Sequence, residues 1–131
     1  MPLPKGRRKK IAITLDHAAL TATGAIKMYK APRRCEVEKV DYINPTGLAG
    51  DPANFFELRI KNGSTVVAGP RSTENDNGGT TIAADTFIDI DLSATLANRV
   101  LAEGDVLLFD VVEGGTATLP AGRVIVHLKF L

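Results

Sequence analysis

Cysteine and aromatic residues are scarce in this chain. Cysteine occurs once, as Cys35, so no internal disulfide can form, and this favours a reducing compartment. We expect Cys35 to be a small buried apolar residue, because a reactive thiol needs a neighbouring base. Tryptophan is absent and aromatic residues make up only 5% of the sequence. The core must therefore be built mainly from Val, Ile, Leu and Ala.

Histidine is also scarce, which argues against metal-dependent and nucleophilic catalysis. His17, in a predicted turn after Asp16, and His127, in a predicted strand, are the two in the sequence. Neither a metal-ligand spacing nor a serine in a G-x-S-x-G turn occurs. Asp89 and Asp91 share one side of a predicted strand, but the glycine and closing glutamate of an EF-hand loop are missing. The sequence therefore predicts a non-enzyme with no catalytic residue, no metal, no cofactor and no small-molecule substrate.

Long apolar runs are missing as well. No run approaches the length of a transmembrane helix, and no signal-peptide hydrophobic region follows the basic N-terminus. We therefore expect a soluble protein that is made in the cytoplasm and has no membrane partner. The length of 131 residues fits one domain with a sizeable core, and 44% hydrophobic with 24% charged residues is ordinary globular composition.

Charge is distributed unevenly along the chain, although the net charge is only +1. Residues 1–39 contain ten Lys or Arg and three acids, whereas residues 40–131 contain six Lys or Arg and twelve acids. Five of the cations lie close together near the start of the chain: Lys5, Arg7, Arg8, Lys9 and Lys10. We predict an extended basic N-terminal arm over residues 1–9, followed by a single β-sandwich domain over residues 10–131.

This basic arm has several possible partners. Nucleic-acid binding usually adds aromatic stacking residues, and Tyr29 is the only aromatic residue among residues 1–39. Insertion into a membrane needs an apolar face, which the arm lacks. We favour an arm that docks on an acidic protein surface and becomes ordered on binding. A solvated tail without a partner explains five charges equally simply.

Alternating apolar and polar residues predict short strands. Phe56, Leu58 and Ile60 fall on one face of a predicted strand, and Asn62-Gly63 then predicts a hairpin turn in which both residues have positive φ. Further strands are predicted at 10–15, 25–29, 35–43 with a bulge near Glu38, 64–68, 80–92, 106–112 and 123–130.

The segments between these strands are punctuated by Gly, Pro and Asn. Residues 69–79 predict an exposed, mobile loop, and residues 94–101 predict either a loop or one helical turn. The run 106–112 is broken only by Asp110, and we expect it to be covered on both faces. About eight antiparallel strands with frequent turns predict an all-β fold, a jelly-roll-like β-sandwich.

The second half of the chain resembles a known family. Residues 96–107 (LANRVLAEGDVL) and 117–124 (ATLPAGRV) resemble the decoration, or cement, proteins on the heads of tailed bacteriophages. The likeness covers roughly residues 80–131 and is weaker around residues 42–60. It implies a jelly-roll-like homotrimer on the outer surface of the virion, bound to the major capsid protein and stabilising the shell. It also implies that the arm, with Lys5, Arg7, Arg8, Lys9 and Lys10, contacts the capsid.

Two other functions compete with this hypothesis. The first is a carbohydrate- or receptor-binding β-module of a phage fibre or spike. Sugar sites usually present exposed aromatic platforms, and the absence of Trp, with only two Tyr, argues against such a module. The second is a metal enzyme of the cupin type, whose usual histidine cluster is missing from this sequence.

Overall fold

Two antiparallel β-sheets packed face to face form the domain. The computed structural model describes residues 9–21 and 23–131. The strands in chain order are β1 (Lys10–His17), β2 (Gly24–Lys30), β3 (Cys35–Ile43), β4 (Phe56–Asn62), β5 (Thr65–Ser72), β6 (Ile88–Asp89), β7 (Val100–Leu101), β8 (Val106–Glu113) and β9 (Gly122–Phe130). One turn of 3-10 helix covers Leu96–Arg99, within the segment for which the sequence left a loop and a helical turn open.

The strand order of both sheets is that of a jelly roll. The first sheet has the order β1-β9-β3-β6, with β7 also paired to β3, and the second has the order β2-β8-β4-β5. The two-residue strands β6 and β7 pair with opposite ends of β3, so together they occupy the place of one edge strand. Counted in this way, the eight strands form two interleaved Greek keys. The predicted fold class, a jelly-roll-like β-sandwich, is confirmed.

Strand alternation places the core between the two sheets, as the sequence predicted. In β4 the side chains of Phe56, Leu58 and Ile60 are buried, whereas Glu57, Arg59 and Lys61 are only partly covered. In β9, Val124, Val126, Leu128 and Phe130 are buried in the same alternating manner. Each large apolar side chain removed from water contributes about 1.5–3 kcal/mol, so this alternation fixes which face of each strand points inward.

The bulge predicted in β3 is confirmed. The pairing of β3 with β9 shifts by one residue between Val37 and Lys39, so Glu38 is the extra residue. The shift keeps both Val37 and Val40 inside the core, with exposures of 0% and 1%. A regular strand would have turned one of these two valines towards solvent, because side chains alternate between the two faces of a sheet.

The segment after β4 differs from its prediction. The strand β5 runs to Ser72, so the first residues of the predicted loop 69–79 belong to the sheet. Thr73, which follows, is fully buried, and its Oγ1 accepts a hydrogen bond from the backbone amide of Phe56 at 3.0 Å. The loop is therefore anchored to β4 by a polar side chain, which a search for apolar anchors could not detect.

Within the described residues, no helix is long and apolar enough to cross a membrane.

Candidate functional site

The predicted arm is described only where it joins the domain. Lys5, Arg7 and Arg8 lie outside the described residues. Lys9 and Lys10 are exposed, and the carbonyl of Lys9 accepts a hydrogen bond from the amide of Phe130 at 2.9 Å. Lys10 begins β1, and its Nζ lies 3.5 Å from Oε2 of Glu38. The arm therefore joins the body beside the end of β9.

Other cations gather at the same end of the sandwich. Arg33 and Arg34 lie in the turn from β2 to β3, where the guanidinium of Arg33 sits 4.9 Å from the ring centre of Phe130. The carbonyl of Arg34 accepts a hydrogen bond from the amide of Leu131. The cations here, which we call the basic end, are Lys9, Lys10, Lys30, Arg33, Arg34 and Lys129.

Acids accompany this basic end, but they are fewer. Glu36 pairs with Lys129 across β3 and β9, and Glu38 contacts Lys10. Glu103 and Asp105 lie in the turn before β8, which hydrogen-bonds to Ala31. Lys30, Arg33 and Arg34 were not among the predicted contact residues. They were part of the charge count for residues 1–39, but only the fold shows that they lie at the same end of the sandwich as the start of β1.

The opposite end of the sandwich carries the opposite charge. The connecting segments at that end are 18–23, 44–55, 73–87 and 114–121. Their sequence contains no Lys or Arg and four acids, Asp51, Glu74, Asp76 and Asp85. Two cations of the adjoining strand ends, Arg71 of β5 and Arg123 of β9, also lie at this end. The uneven distribution of charge along the sequence thus becomes a difference in charge between the two ends of the domain. This happens because antiparallel strands bring alternate connections to the same end.

An open cleft of about 410 Å³ lies at this acidic end. Its lining includes Asp16 of β1 and Arg123 of β9, together with Asp85 and Phe87 of the loop before β6. Ile43, the last residue of β3, also lines it. Nε of Arg123 donates a hydrogen bond to Oδ1 of Asp16 at 2.6 Å, and this bond lowers the pKa of Asp16. The ring of Phe87 is 57% exposed. No sequence pattern had singled out this cleft.

His17 lies beneath the cleft, and its predicted position in a turn was wrong. It is the last residue of β1 and only 4% exposed, because β1 keeps pairing with β9 as far as Gly122. Nδ1 lies 2.8 Å from the carbonyl oxygen of Ala18. A carbonyl can only accept, so Nδ1 carries the proton and Nε2 is the acceptor. Nε2 accepts a hydrogen bond from the hydroxyl of Tyr42 at 2.8 Å.

Asn44 completes this buried network. Its Nδ2 donates to the Tyr42 hydroxyl at 3.1 Å and to the carbonyl of Pro120 at 2.8 Å, while its Oδ1 accepts from the amide of Thr46. Burial lowers the pKa of His17 and raises the pKa of Tyr42 to about 12. Both side chains therefore stay uncharged near neutral pH. Since both ring nitrogens of His17 are engaged, the network supports the cleft and offers it no free base.

The other residues that could bind a metal ion lie apart from one another or form ion pairs. Nε2 of His127 lies 3.0 Å from Oδ2 of Asp41, and Lys39 bridges Asp41 and Asp89 at 3.6 and 3.5 Å. Cys35 is fully buried, as predicted, and burial raises the pKa of its thiol. Within residues 9–21 and 23–131, no three His, Cys, Asp or Glu side chains form a group that could hold a metal ion.

The outer face of β8 carries an apolar stripe that is interrupted by Asp110. The inward side chains Leu107, Phe109 and Val111 are fully buried, whereas Val106, Leu108 and Val112 on the other face are only partly covered. The expectation that both faces of this strand are covered was wrong for the outer face. In this sheet β8 lies between β2 and β4, whose outward residues include Lys27 and Lys61, paired in register with Leu108.

No protein-family model matches this chain, and no curated protein matches it in sequence. The resemblance to decoration proteins therefore depends on residues 96–107 and 117–124. The structure places the first stretch in the 3-10 helix, β7 and the start of β8, and the second in the turn that leads into β9. Both stretches contribute to the framework of the jelly roll. The first also carries the exposed Leu96, and the second carries Arg123, which lines the cleft.

Proposed function

We propose that this chain is a non-enzymatic capsid decoration protein that binds the outer surface of a phage head as a homotrimer and stabilises the shell. The observation that carries the proposal is the basic end, where the predicted arm meets further cations of the body. A surface of this kind is suited to an acidic protein surface, which here would belong to the major capsid protein.

The cations of the folded domain add a rigid contact surface, which a flexible arm alone lacks. A flexible arm loses conformational freedom when it binds, whereas Lys30, Arg33 and Arg34 are held by β2 and the turn after it. Rigid cations at the same end of the domain as the arm would hold the domain with this end against the shell and the opposite end away from it. Three such domains in one trimer bind more tightly than one, because the second and third contacts are intramolecular.

A sedimentation experiment tests this proposal. Purified protein is mixed with expanded, undecorated heads built from the major capsid protein of the same phage, and the protein that sediments with the heads is measured over a range of salt concentrations. We expect the full chain to bind and to lose affinity as salt rises, since salt screens exposed charges. A chain without residues 1–8 and the double variant K30E/R34E should each bind at least about tenfold more weakly, which corresponds to about 1.4 kcal/mol.

The matched control is Arg123→Glu, which is compared with the single variant Arg34→Glu. Both variants reverse one exposed charge, but Arg123 lies on the outer face of the first sheet at the opposite end of the domain. We expect Arg123→Glu to bind the heads as the full chain does. Absence of binding of the full chain at every salt concentration would refute the decoration function. Equal losses of binding for Arg34→Glu and Arg123→Glu would refute only the role of the basic end.

A further inference from the structure

Phe87 gives the cleft at the acidic end a flat apolar wall. It is one of two large apolar side chains that the described structure leaves highly exposed, the other being Leu96, with exposures of 57% and 54%. Isolated exposed apolar residues are common and need no explanation. Phe87, however, borders a cleft of about 410 Å³. That volume falls within the range of about 300–1,000 Å³ that is typical of small-molecule sites.

The polar groups of the cleft are mixed in sign. Asp16 and Arg123 form an ion pair whose side chains are 67% and 51% exposed, and Asp85 stands in the same cleft. Arg123 and Asp16 largely neutralise each other, and the remaining carboxylate of Asp85 repels an anionic ligand. Carboxylate oxygens accept hydrogen bonds and guanidinium nitrogens donate them. A neutral ligand rich in hydroxyl groups can use both kinds of group at once.

The wall that carries Asp85 is held in place before any ligand arrives. Among the described residues, Asp85 is the one non-glycine residue with positive φ, at 53°. Its amide donates a hydrogen bond to the carbonyl of Asn44 at 3.0 Å, so the wall is tied to the network beneath the cleft. Ala84 packs against Gly47 so closely that a Cβ on Gly47 would lie 2.9 Å from the Ala84 amide nitrogen. A wall fixed in this way loses little freedom when a ligand binds.

We infer that this cleft binds a neutral saccharide. The apolar face of one pyranose ring would lie on Phe87, and its hydroxyl groups would contact Asp85 and the Asp16–Arg123 pair. This inference is independent of the decoration function, because the cleft and the basic end lie at opposite ends of the domain. On a decorated head, the cleft would face outward, where a polysaccharide of the surroundings could reach it.

The test is a binding experiment with oligosaccharides. The full chain is applied to an array of neutral and anionic oligosaccharides, and the neutral compounds that bind are titrated in solution by NMR. We expect binding to at least one neutral oligosaccharide, with the largest chemical-shift changes at the cleft. Phe87→Ala should weaken that binding about tenfold, because it removes the flat apolar surface on which the pyranose ring would lie. Asp85→Asn should weaken it as well, since it removes the charged acceptor.

Two control variants outside the cleft test whether the effect on binding is specific to the cleft. Leu96→Ala removes the other exposed large apolar side chain, and Asp76→Asn removes an acid of the same loop that does not line the cleft. Both should bind the saccharide as the full chain does, and thermal unfolding shows that all four variants are folded. No binding of any neutral oligosaccharide at millimolar concentration would overturn the inference. So would binding that survives Phe87→Ala, or binding of basic peptides in place of saccharides.

Discussion

At the scale of single residues, the network of His17, Tyr42 and Asn44 is the feature that most distinguishes this core. It joins the end of β1, the end of β3 and the turn before β9 through side chains that are all buried. A buried polar network stabilises a fold only when each member is hydrogen-bonded, and here every donor of the three side chains has an acceptor. Gly122 completes it, because a Cβ there would lie 2.7 Å from the Tyr42 hydroxyl.

This network predicts that the protein is less stable in mildly acidic solution. Burial places the pKa of His17 in the folded protein below its ordinary value of 6.5. Between these two pKa values the unfolded state binds more protons than the folded state, so the free energy of unfolding falls as the pH falls. The stabilisation is complete above the unfolded pKa and is lost progressively below it. Urea unfolding followed at a series of pH values from about 8 to about 5 measures the effect.

Two histidine variants test whether His17 causes this pH dependence of stability. His17→Gln removes the buried imidazole, and His127→Gln removes the one that is partly exposed beside Asp41. We expect the loss of stability just below the ordinary pKa of histidine to persist in His127→Gln and to shrink in His17→Gln. If both variants keep the full pH dependence, His17 is not its source.

At the scale of elements, the β4–β5 hairpin has a different turn from the predicted one. The sequence placed Asn62 and Gly63 at the centre of the turn, both with positive φ. In the structure Asn62 pairs with Thr65, so the central residues are Gly63 and Ser64, and of these two Gly63 alone has positive φ, at 60°. A glycine at the first central position is the signature of a type II′ turn, which also suits the twist of a hairpin.

A glycine substitution checks this turn. Gly63→Ala should lower the free energy of unfolding by about 1–2 kcal/mol, because a left-handed conformation is strained for any residue with a Cβ. Steric contact contributes nothing, since the added Cβ would meet no atom within 4 Å. Gly24→Ala is the matched control: its Cβ also meets no atom within 4 Å, but its φ is not positive. Denaturant unfolding should show Gly24→Ala to be neutral or slightly stabilising, and equal effects of both changes would contradict the assigned turn.

At the scale of the whole molecule, the outer face of β8 is a partly exposed and mostly apolar surface. Val106, Leu108 and Val112 lie on that face and are each partly exposed, with Asp110 between Leu108 and Val112. Subunit interfaces are richer in apolar residues at their centre than the rest of a protein surface. If the domain forms the proposed homotrimer, we expect this stripe to lie between neighbouring copies.

Sedimentation equilibrium tests the assignment of this surface. The full chain should have three times the mass of one chain, and Leu108→Glu should reduce it to that of a monomer, since a carboxylate buried at an interface is strongly unfavourable. Ile125→Glu is the control, because Ile125 is also partly exposed but lies on the outer face of the first sheet. A monomeric full chain would contradict the trimer, and a trimeric Leu108→Glu would place its interface elsewhere.

Local patterns were sufficient to predict most of the strands and the core. Phe56, Leu58 and Ile60 alternate with charged residues, and such alternation leaves one buried face as the only stable arrangement. The bulge at Glu38 could be predicted because the apolar positions on either side of it change phase.

Features that depend on distant parts of the chain could not be predicted. The cleft combines residues from β1, β9 and the loop before β6, and no local pattern relates Asp16 to Phe87. The sequence predicts a turn at His17, whereas its burial in the structure depends on Tyr42 and Gly122, which are far away in sequence. Similarly, the sequence shows that residues 1–39 are basic, but only the fold shows that Lys30, Arg33 and Arg34 lie at the same end of the sandwich as the start of β1.

The position of β9 has a consequence for how the domain reaches its native state. This strand is the last in chain order, yet it lies between β1 and β3 and pairs with both along almost its whole length. Its pairing with β1 joins Lys10 to Lys129, so the loop to be closed spans nearly the entire chain. Contacts of such high sequence separation slow folding. During synthesis on the ribosome, β1 and β3 have no strand to pair with between them until β9 is made. The first sheet can therefore form only after β9 has left the exit tunnel.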